Sequence, residues 1–474
     1  MKRFLLSFLI STSLMVGIVY LTVILPENTR TNVLGSDEIF APGQENTTDS
    51  TPKLEPTSES YKERMSKGDT LFKSEHYLLA AVEYQLASQL EPTLSESYFR
   101  LGQAQFYGKK YQNALIAFEK TIEISPSNED AKILLGKTYL QLEQFTNARD
   151  LFEGLTIENT EKFYYQGVLA AYFGDYEAAQ LNFNQVIERS DASELSKNAT
   201  NYLNSMSENN LAEDPAAVYL KTLVGRSLAE TGETRLAITL LYDVLRDEPD
   251  YRDAWIIIGY AYLSENKFQE AQSALFKAVE LDPTKAESRY FLGLSYFGLD
   301  DYPSAITQLE LALESGFEPK IQAYQKLGDA AVLAQNFPKA TEAYEKVLVL
   351  NSSDIELFVR PVWLNIDHLK KSDRALEIAQ QAVHEHPGEA MSYNLEGWAQ
   401  MSLNHMEEAG KSLKYALIID PNLAAAHYNF GLWNERKNLS EAAQASFKQA
   451  YTLDSGGPIG NLAAEHYNTL IVNP

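Results

Sequence analysis

The sequence predicts an all-α fold: about eleven stacked helical hairpins behind one apolar N-terminal helix. Three observations carry this. First, small residues recur at a nearly fixed period. Ala80, Ala114, Ala148, Ala179, Ala237, Ala271, Ala305, Ala340, Ala375, Ala409 and Ala443 are spaced 34, 34, 31, 58, 34, 34, 35, 35, 34 and 34 residues apart. Second, a glycine lies twelve residues before nearly every one of them: Gly68, Gly102, Gly136, Gly167, Gly225, Gly259, Gly293, Gly328, Gly397 and Gly431. Only the ninth unit departs, with Trp363. Third, apolar residues within each unit recur at three- and four-residue steps, the period of a helix. Pro92, Pro126, Pro249, Pro283, Pro387 and Pro421 then close many units, because proline ends a helix.

Taken in order, residues 1–25 form the first element. Lys2 and Arg3 precede 22 residues, Phe4 to Leu25, that carry no charge. That length spans a bilayer, it exceeds the core of a signal peptide, and no A-x-A cleavage site follows. An uncleaved signal anchor is expected. The basic flank places the N-terminus in the cytoplasm and the rest of the chain outside it, periplasmic or extracellular. Residues 26–58 are rich in Thr, Ser, Pro, Glu and Asn without apolar period, the composition of a disordered tether. Such a coil would hold its ends roughly 30 Å apart. Residues 59–193 hold four hairpins. Residues 194–217 explain the 58-residue gap, with Leu195, Ala199, Tyr202, Leu203 and Met206 on one helical face. Residues 218–455 hold seven more hairpins. The tail, 456–474, has a helical pattern at Leu462, Ala463, His466, Tyr467 and Leu470 and suits the cap that a stack requires.

Gly and Ala let two antiparallel helices approach closely, while Tyr262, Phe268 and Leu275 fill the sides of the contact in the sixth unit. One hairpin cannot bury its own apolar face, so neighbours must stack. Trp255, Ile258-Gly259, Tyr262, Phe268, Ala271, Leu275, Ala278 and Pro283 resemble the consensus of the tetratricopeptide repeat. Eleven units resemble that family, over nearly all of residues 59–455. The resemblance implies a right-handed solenoid. The ninth unit carries Trp363 at the glycine position, Ala379 where a large residue is usual, and Pro361 inside its first helix. A large-for-small exchange that conserves volume and a bend at Pro361 are expected there.

Composition excludes several chemistries. There are no cysteines, hence no disulfide, thiolate metal site or cysteine nucleophile. A net charge of −25 argues against nucleic acid, which requires a basic footprint. No phosphate loop, GxSxG elbow or HExxH helix occurs. His384 and His386, two apart on a helix, point to different faces and make a poor metal pair. Asp300 and Asp301 sit at an inter-helix turn, where solvation explains them better than acid–base catalysis. Neither enzyme activity, cofactor nor metal is expected.

The resemblance places the first helix of each unit along an inner face, at unit positions 2, 5, 9, 12 and 13. Those positions carry Phe99, Phe106, Tyr107, Tyr164, Tyr172, Tyr260, Tyr290, Phe297, Trp398 and Tyr428. Aromatic rings give contact area at little conformational cost, so they are the candidate partner-binding groove. Packing between helices is the competing role for each ring. Met65, Asp69, Phe99 and Gln103 do not reproduce the Lys and Asn of the family's carboxylate-clamp members. The reading is a membrane-tethered scaffold binding proteins or peptides outside the cytoplasm. The alternative is a cytoplasm-facing assembly or regulatory factor for a membrane complex.

Overall fold

The computed structural model describes residues 60–189, 193–207 and 217–472. The expected anchor and tether, residues 1–58, lie outside the described residues. Among those described, no helix is long and apolar enough to cross a membrane. The chain divides between Glu265 and Asn266 into two compact units.

The first unit begins with hairpins α1 (Tyr61–Lys73) and α2 (Tyr77–Leu90), α3 (Ser95–Tyr107) and α4 (Tyr111–Ile124), then α5 (Glu129–Gln141) and α6 (Phe145–Glu153). A fourth hairpin, α7 (Thr160–Tyr172) and α8 (Tyr176–Arg189), precedes the added helix α9 (Glu194–Ser207). The unit ends with α10 (Ala217–Glu230), α11 (Thr234–Asp247) and α12 (Arg252–Ser264). The second unit runs α13 (Phe268–Leu281), α14 (Ala286–Gly298), α15 (Tyr302–Glu314), α16 (Lys320–Leu333), α17 (Phe337–Leu350) and α18 (Glu356–Trp363). A π-helical turn (Leu364–His368) extends α18, and α19 (Ser372–Glu385), α20 (Ala390–Ser402), α21 (Met406–Ile419), α22 (Ala424–Arg436), α23 (Ser440–Leu453) and α24 (Pro458–Val472) follow. Every described element is helical. Helices Glu194–Ser207 and Pro458–Val472 lie within the expected connector and tail segments.

Local chemistry starts and stops these helices. Ser60 caps α1 in a reciprocal box with Glu63, and Asn128, Asn159, Asp301 and Asn336 cap α5, α7, α15 and α17 through their side-chain oxygens. Each satisfies a backbone N–H that the helix leaves orphaned. The turn inside each hairpin uses a left-handed residue. Glu75, Lys109, Glu143, Asn266, Asp300, Gln335, Lys370, Asn404 and Asn438 adopt φ of 54–62°. At the first turn Glu75 donates its N–H to the Phe72 carbonyl at 3.0 Å and His76 donates to Leu71 at 2.9 Å, a Schellman termination.

The glycine series has a steric cause. A Cβ on Gly68, Gly136, Gly167, Gly328 or Gly431 would come within 2.5–2.7 Å of the ring of Tyr84, Phe152, Phe183, Tyr344 or Phe447. The clock alanines are all fully buried. Large rings thus seat directly on the backbone of the partner helix.

The ninth hairpin solves the problem differently. Trp363 does not fill the slot opposite Ala379. Its indole joins the cluster of Ala331, Val332, Ala340, Tyr344 and Leu364, while Ala379 packs in the cluster of Phe358, Val362, Ile378 and Leu395. The expected pairwise exchange of volume is therefore corrected. Pro361 lacks the N–H that would continue the ladder, and three residues on the helix widens into the π turn. The Asn365 amide donates to the Pro361 carbonyl at 2.8 Å.

Candidate binding faces

In the first unit, α3 carries three of the candidate rings. Phe99 is half-buried against the cluster of Ala114, Leu115, Phe118 and Leu135. Phe106 meets Tyr111 and Tyr107 edge-on, each at 5.6 Å between centroids. Tyr107 is 48% exposed, stacks on Tyr77 at 5.6 Å and meets Phe72 edge-on at 5.6 Å. These rings form a ledge with one open side. On α7, Tyr172 is half-buried against Phe145 at 4.9 Å. Burial, followed by the charges of Asp243 and Glu143, pushes its phenol up to about 12. Tyr260, on α12, keeps partial exposure.

Two rings depart from the expectation. Tyr164 is 1% exposed and Tyr290 is 6% exposed, so neither offers its face to a ligand. Tyr164 packs against Tyr165 at 5.2 Å and Phe183 at 6.3 Å. Tyr290 stacks on Phe317 at 4.0 Å, in the loop before α16. Unit position 5 faces the groove or the next hairpin according to what that neighbour supplies. Here the neighbours supply rings, and the tyrosines become core.

The second unit keeps three candidates at its surface. Phe297 on α14 is half-buried, with Lys326 Nζ 5.2 Å over its ring and Tyr302 edge-on at 5.7 Å. Trp398 on α20 bridges two apolar clusters, one around Ile378 and Leu395, the other around Met401 and Leu413. Tyr428 on α22 meets Phe447 at 5.8 Å and His466 of the capping helix at 5.7 Å. Burial, then Asp367, Glu465 and Glu435, pushes its phenol up to about 12.

Charge is interleaved with these rings, which the aromatic pattern did not reveal. Lys137 pairs with Glu161 at 2.9 Å and lies 5.7 Å over Tyr165. Arg360 of α18 pairs with Asp329 and donates to the Tyr344 hydroxyl, and that hydroxyl donates to Asp329 at 2.7 Å. Burial first, then the Asp329 carboxylate, raises the Tyr344 phenol. Both networks join successive hairpins, through opposite charges 24 and 31 residues apart that follow no repeat period. Among the described residues no group of His, Cys, Asp and Glu is arranged to hold a metal ion.

Each unit offers half-exposed rings with polar neighbours on first helices of its hairpins. Family models described as tetratricopeptide repeat match residues 105–172, 224–286 and 258–319. The peroxisomal targeting signal receptor of Saccharomyces cerevisiae is 23% identical over 281 residues, 56% of this chain and 45% of that protein. The BBSome complex member BBS4 of Bos taurus is 24% identical over 286 residues, 56% of this chain and 54% of its own. The chain thus spans about half the length of these curated relatives. Among solved structures, YrrB, described as a TPR protein with an unusual peptide-binding site, is 22% identical. It covers 39% of this chain and 95% of its own at a TM-score of 0.34. Yeast Tom70 covers 87% of this chain and 96% of its own at 16% identity and a TM-score of 0.31. Superpositions this loose carry no argument.

Proposed function

Because the chain is a tetratricopeptide-repeat protein, we propose that it is a scaffold without catalytic chemistry, capturing protein or peptide partners on the inner faces of its hairpins. The observation that carries the reading is the half-exposed rings within each unit, Phe99, Phe106 and Tyr107 in the first and Phe297 and Trp398 in the second, on a frame that does not need them exposed. A repeating frame is fixed by its glycines, alanines and buried rings. Individuality resides at the positions left free, and there this chain places aromatic and charged groups. Relatives named as a targeting signal receptor and as a member of a complex support a binding role.

The finer part of the proposal is the tether. Lys2 and Arg3 before an uncharged stretch of 22 residues support a signal anchor with the repeats outside the cytoplasm. A tether of that kind raises the local concentration of scaffold at the membrane surface. The cytoplasm-facing assembly factor is the opposing topology.

Two measurements test the proposal. Protease added to intact cells should digest the repeats and leave the N-terminal segment in carbonate-resistant membranes. Repeats protected until lysis would favour the cytoplasmic topology. Co-purification in mild detergent should yield partners that are lost from a Tyr107→Ala, Phe297→Ala, Trp398→Ala variant that circular dichroism shows still folded. An unchanged partner set would overturn the binding face.

A further inference from the structure

The turn joining α10 to α11, residues 230–235, does not stay at the edge of its own hairpin. It reaches back across the first unit. Arg235 Nη1 pairs with Glu143, 92 residues earlier, at 3.0 Å. Glu143 belongs to the turn between α5 and α6. The Thr231 hydroxyl lies 3.0 Å from the Tyr202 hydroxyl on α9, and Ser227 donates to Ser205 at 2.9 Å. Glu233 is surrounded by protein yet keeps partial exposure, as a group lining a narrow cleft does. It faces Lys137 of α5, Tyr164 and Tyr165 of α7, and Tyr202 of α9. The turn therefore lies over the inner face of the third and fourth hairpins, where candidate ring Tyr164 is buried.

The docked turn is incompletely satisfied. Glu230 Oε1, Arg235 Nε and the Tyr164 hydroxyl are buried without a hydrogen-bond partner. Thr231 and Asn198 stand beside that hydroxyl but outside hydrogen-bond geometry. Five such side-chain atoms occur among the described residues; Arg235 Nε and the Tyr164 hydroxyl belong to this contact, and Glu230 Oε1 lies beside Arg226 of its own helix. A buried polar atom without a partner destabilises the state that buries it. Lifting the turn would return Arg235 Nε and the Tyr164 hydroxyl to water, and this is what distinguishes a latch from ordinary core.

We infer that the Glu230–Arg235 turn is an internal lid, which closes the inner face of the third and fourth hairpins and lifts from it as the pH rises. Lys137 is the cation facing Glu233, and it is shared with Glu161. Arg226 faces Glu230. Glu194 and Glu233 add negative charge around Tyr164, and Glu161 does so around Tyr165. Burial dominates both lid carboxyls and pushes each up to about 7 from 4.5. A carboxyl whose closed-state value is raised favours closure fully below its open-state value. That preference is lost as pH rises through the closed-state value, here from about 4.5 to about 7. Any partner using this inner face would find it covered at low pH and available above neutrality.

The chain has no cysteines, so a labelled pair reports the lid alone. Spin labels at Asn147→Cys, on α6, and Gly232→Cys, at the exposed tip of the turn where an added Cβ meets nothing within 4 Å, in the full chain are read by pulsed dipolar spectroscopy at pH 5.5 and 8.5. One short distance is expected at pH 5.5, with a longer population growing in at pH 8.5. The closed-to-open ratio should fall by roughly thirtyfold between the two pH values for one fully shifted carboxyl. The combined Glu230→Gln and Glu233→Gln changes should hold the short distance at both pH values. Arg235→Glu should give the longer distance at both, and adding Glu143→Arg should restore the short one. A distance distribution identical at pH 5.5 and 8.5 in the chain with native lid residues would overturn the inference. The readout needs no partner, so it stands or falls apart from the scaffold reading.

Discussion

A Cβ placed on Gly102 would stand 2.5 Å from Cε1 of Phe118, sixteen residues along the same hairpin. Gly102→Ala must therefore displace a fully buried ring. Overpacking of this kind costs about 1–3 kcal/mol. Chemical unfolding should show that loss, and hydrogen exchange should place it in α1 to α6, because coupling in a repeat stack is nearest-neighbour. Gly388→Ala is the control: nothing lies within 4 Å of its added carbon, and stability should be unchanged or slightly raised. Uniform deprotection along the chain after Gly102→Ala would contradict modular packing.

Phe118→Ala removes the other half of the same contact. Its ring is fully buried, and an aromatic deleted from such a site costs about 3–5 kcal/mol. A loss below about 1 kcal/mol would mean that the hairpin collapses into the space.

Gln335 holds φ at 57°, a conformation that costs a residue with a Cβ about 1–2 kcal/mol. Glycine removes that strain and adds unfolded-state entropy. Gln335→Gly should raise stability by up to about 1 kcal/mol in a urea titration, whereas Gln335→Val should lower it. The opposite order would show that the side chain, not the backbone, holds this turn.

Stability of the first unit should fall between about pH 4.5 and 7. Glu230 and Glu233 are raised to about 7 in the fold by burial, so the folded state holds their protons more tightly than the unfolded chain. The sign follows: the contribution is complete below about 4.5 and is lost as pH climbs through 7. Allowing for partial exposure, the pair should supply about 1–3 kcal/mol of that slope. Urea unfolding of the Glu230→Gln, Glu233→Gln chain should flatten it. A slope unaffected by both changes would place the titration elsewhere.

Among the candidate rings, exposure separates two roles. Tyr107→Ala should leave unfolding nearly unchanged and weaken partner capture by about 1–2 kcal/mol if the ring is a hot spot. Tyr290→Ala should cost about 3–5 kcal/mol of stability, since its ring is stacked and buried. Thermal melts and quantitative pull-downs of the two variants would reverse these expectations if the surface ring were structural.

Much of this architecture was legible because its steric demands repeat. Gly102 with Phe118 and Gly328 with Tyr344 state one rule at one spacing, and any window of the sequence shows it. Three features were not legible. Whether Tyr290 faces outward depends on Phe317, which belongs to a non-repeating loop. The π turn Leu364–His368 follows a helix whose apolar pattern looks ordinary. The Arg235–Glu143 pair joins residues two hairpins and an added helix apart, and no local period carries such information. Residues 1–58, which hold the argument for a membrane anchor, lie outside the described residues.

The seating of ring on glycine also bears on how such a chain can lengthen. Nine glycines meet a side chain sixteen residues downstream, and in every case both partners lie within one hairpin. This requirement is therefore self-contained, whereas Gly298 against Phe268 and Gly410 against Trp433 are equally close contacts between successive hairpins. A tandem duplication of about one repeat copies each of the nine glycines and its partner together, and an in-frame deletion removes them together. Gene segments of this kind can change in copy number with the packing inside every hairpin intact, and the strain of such an event falls on the joints between hairpins, where later point substitutions can act.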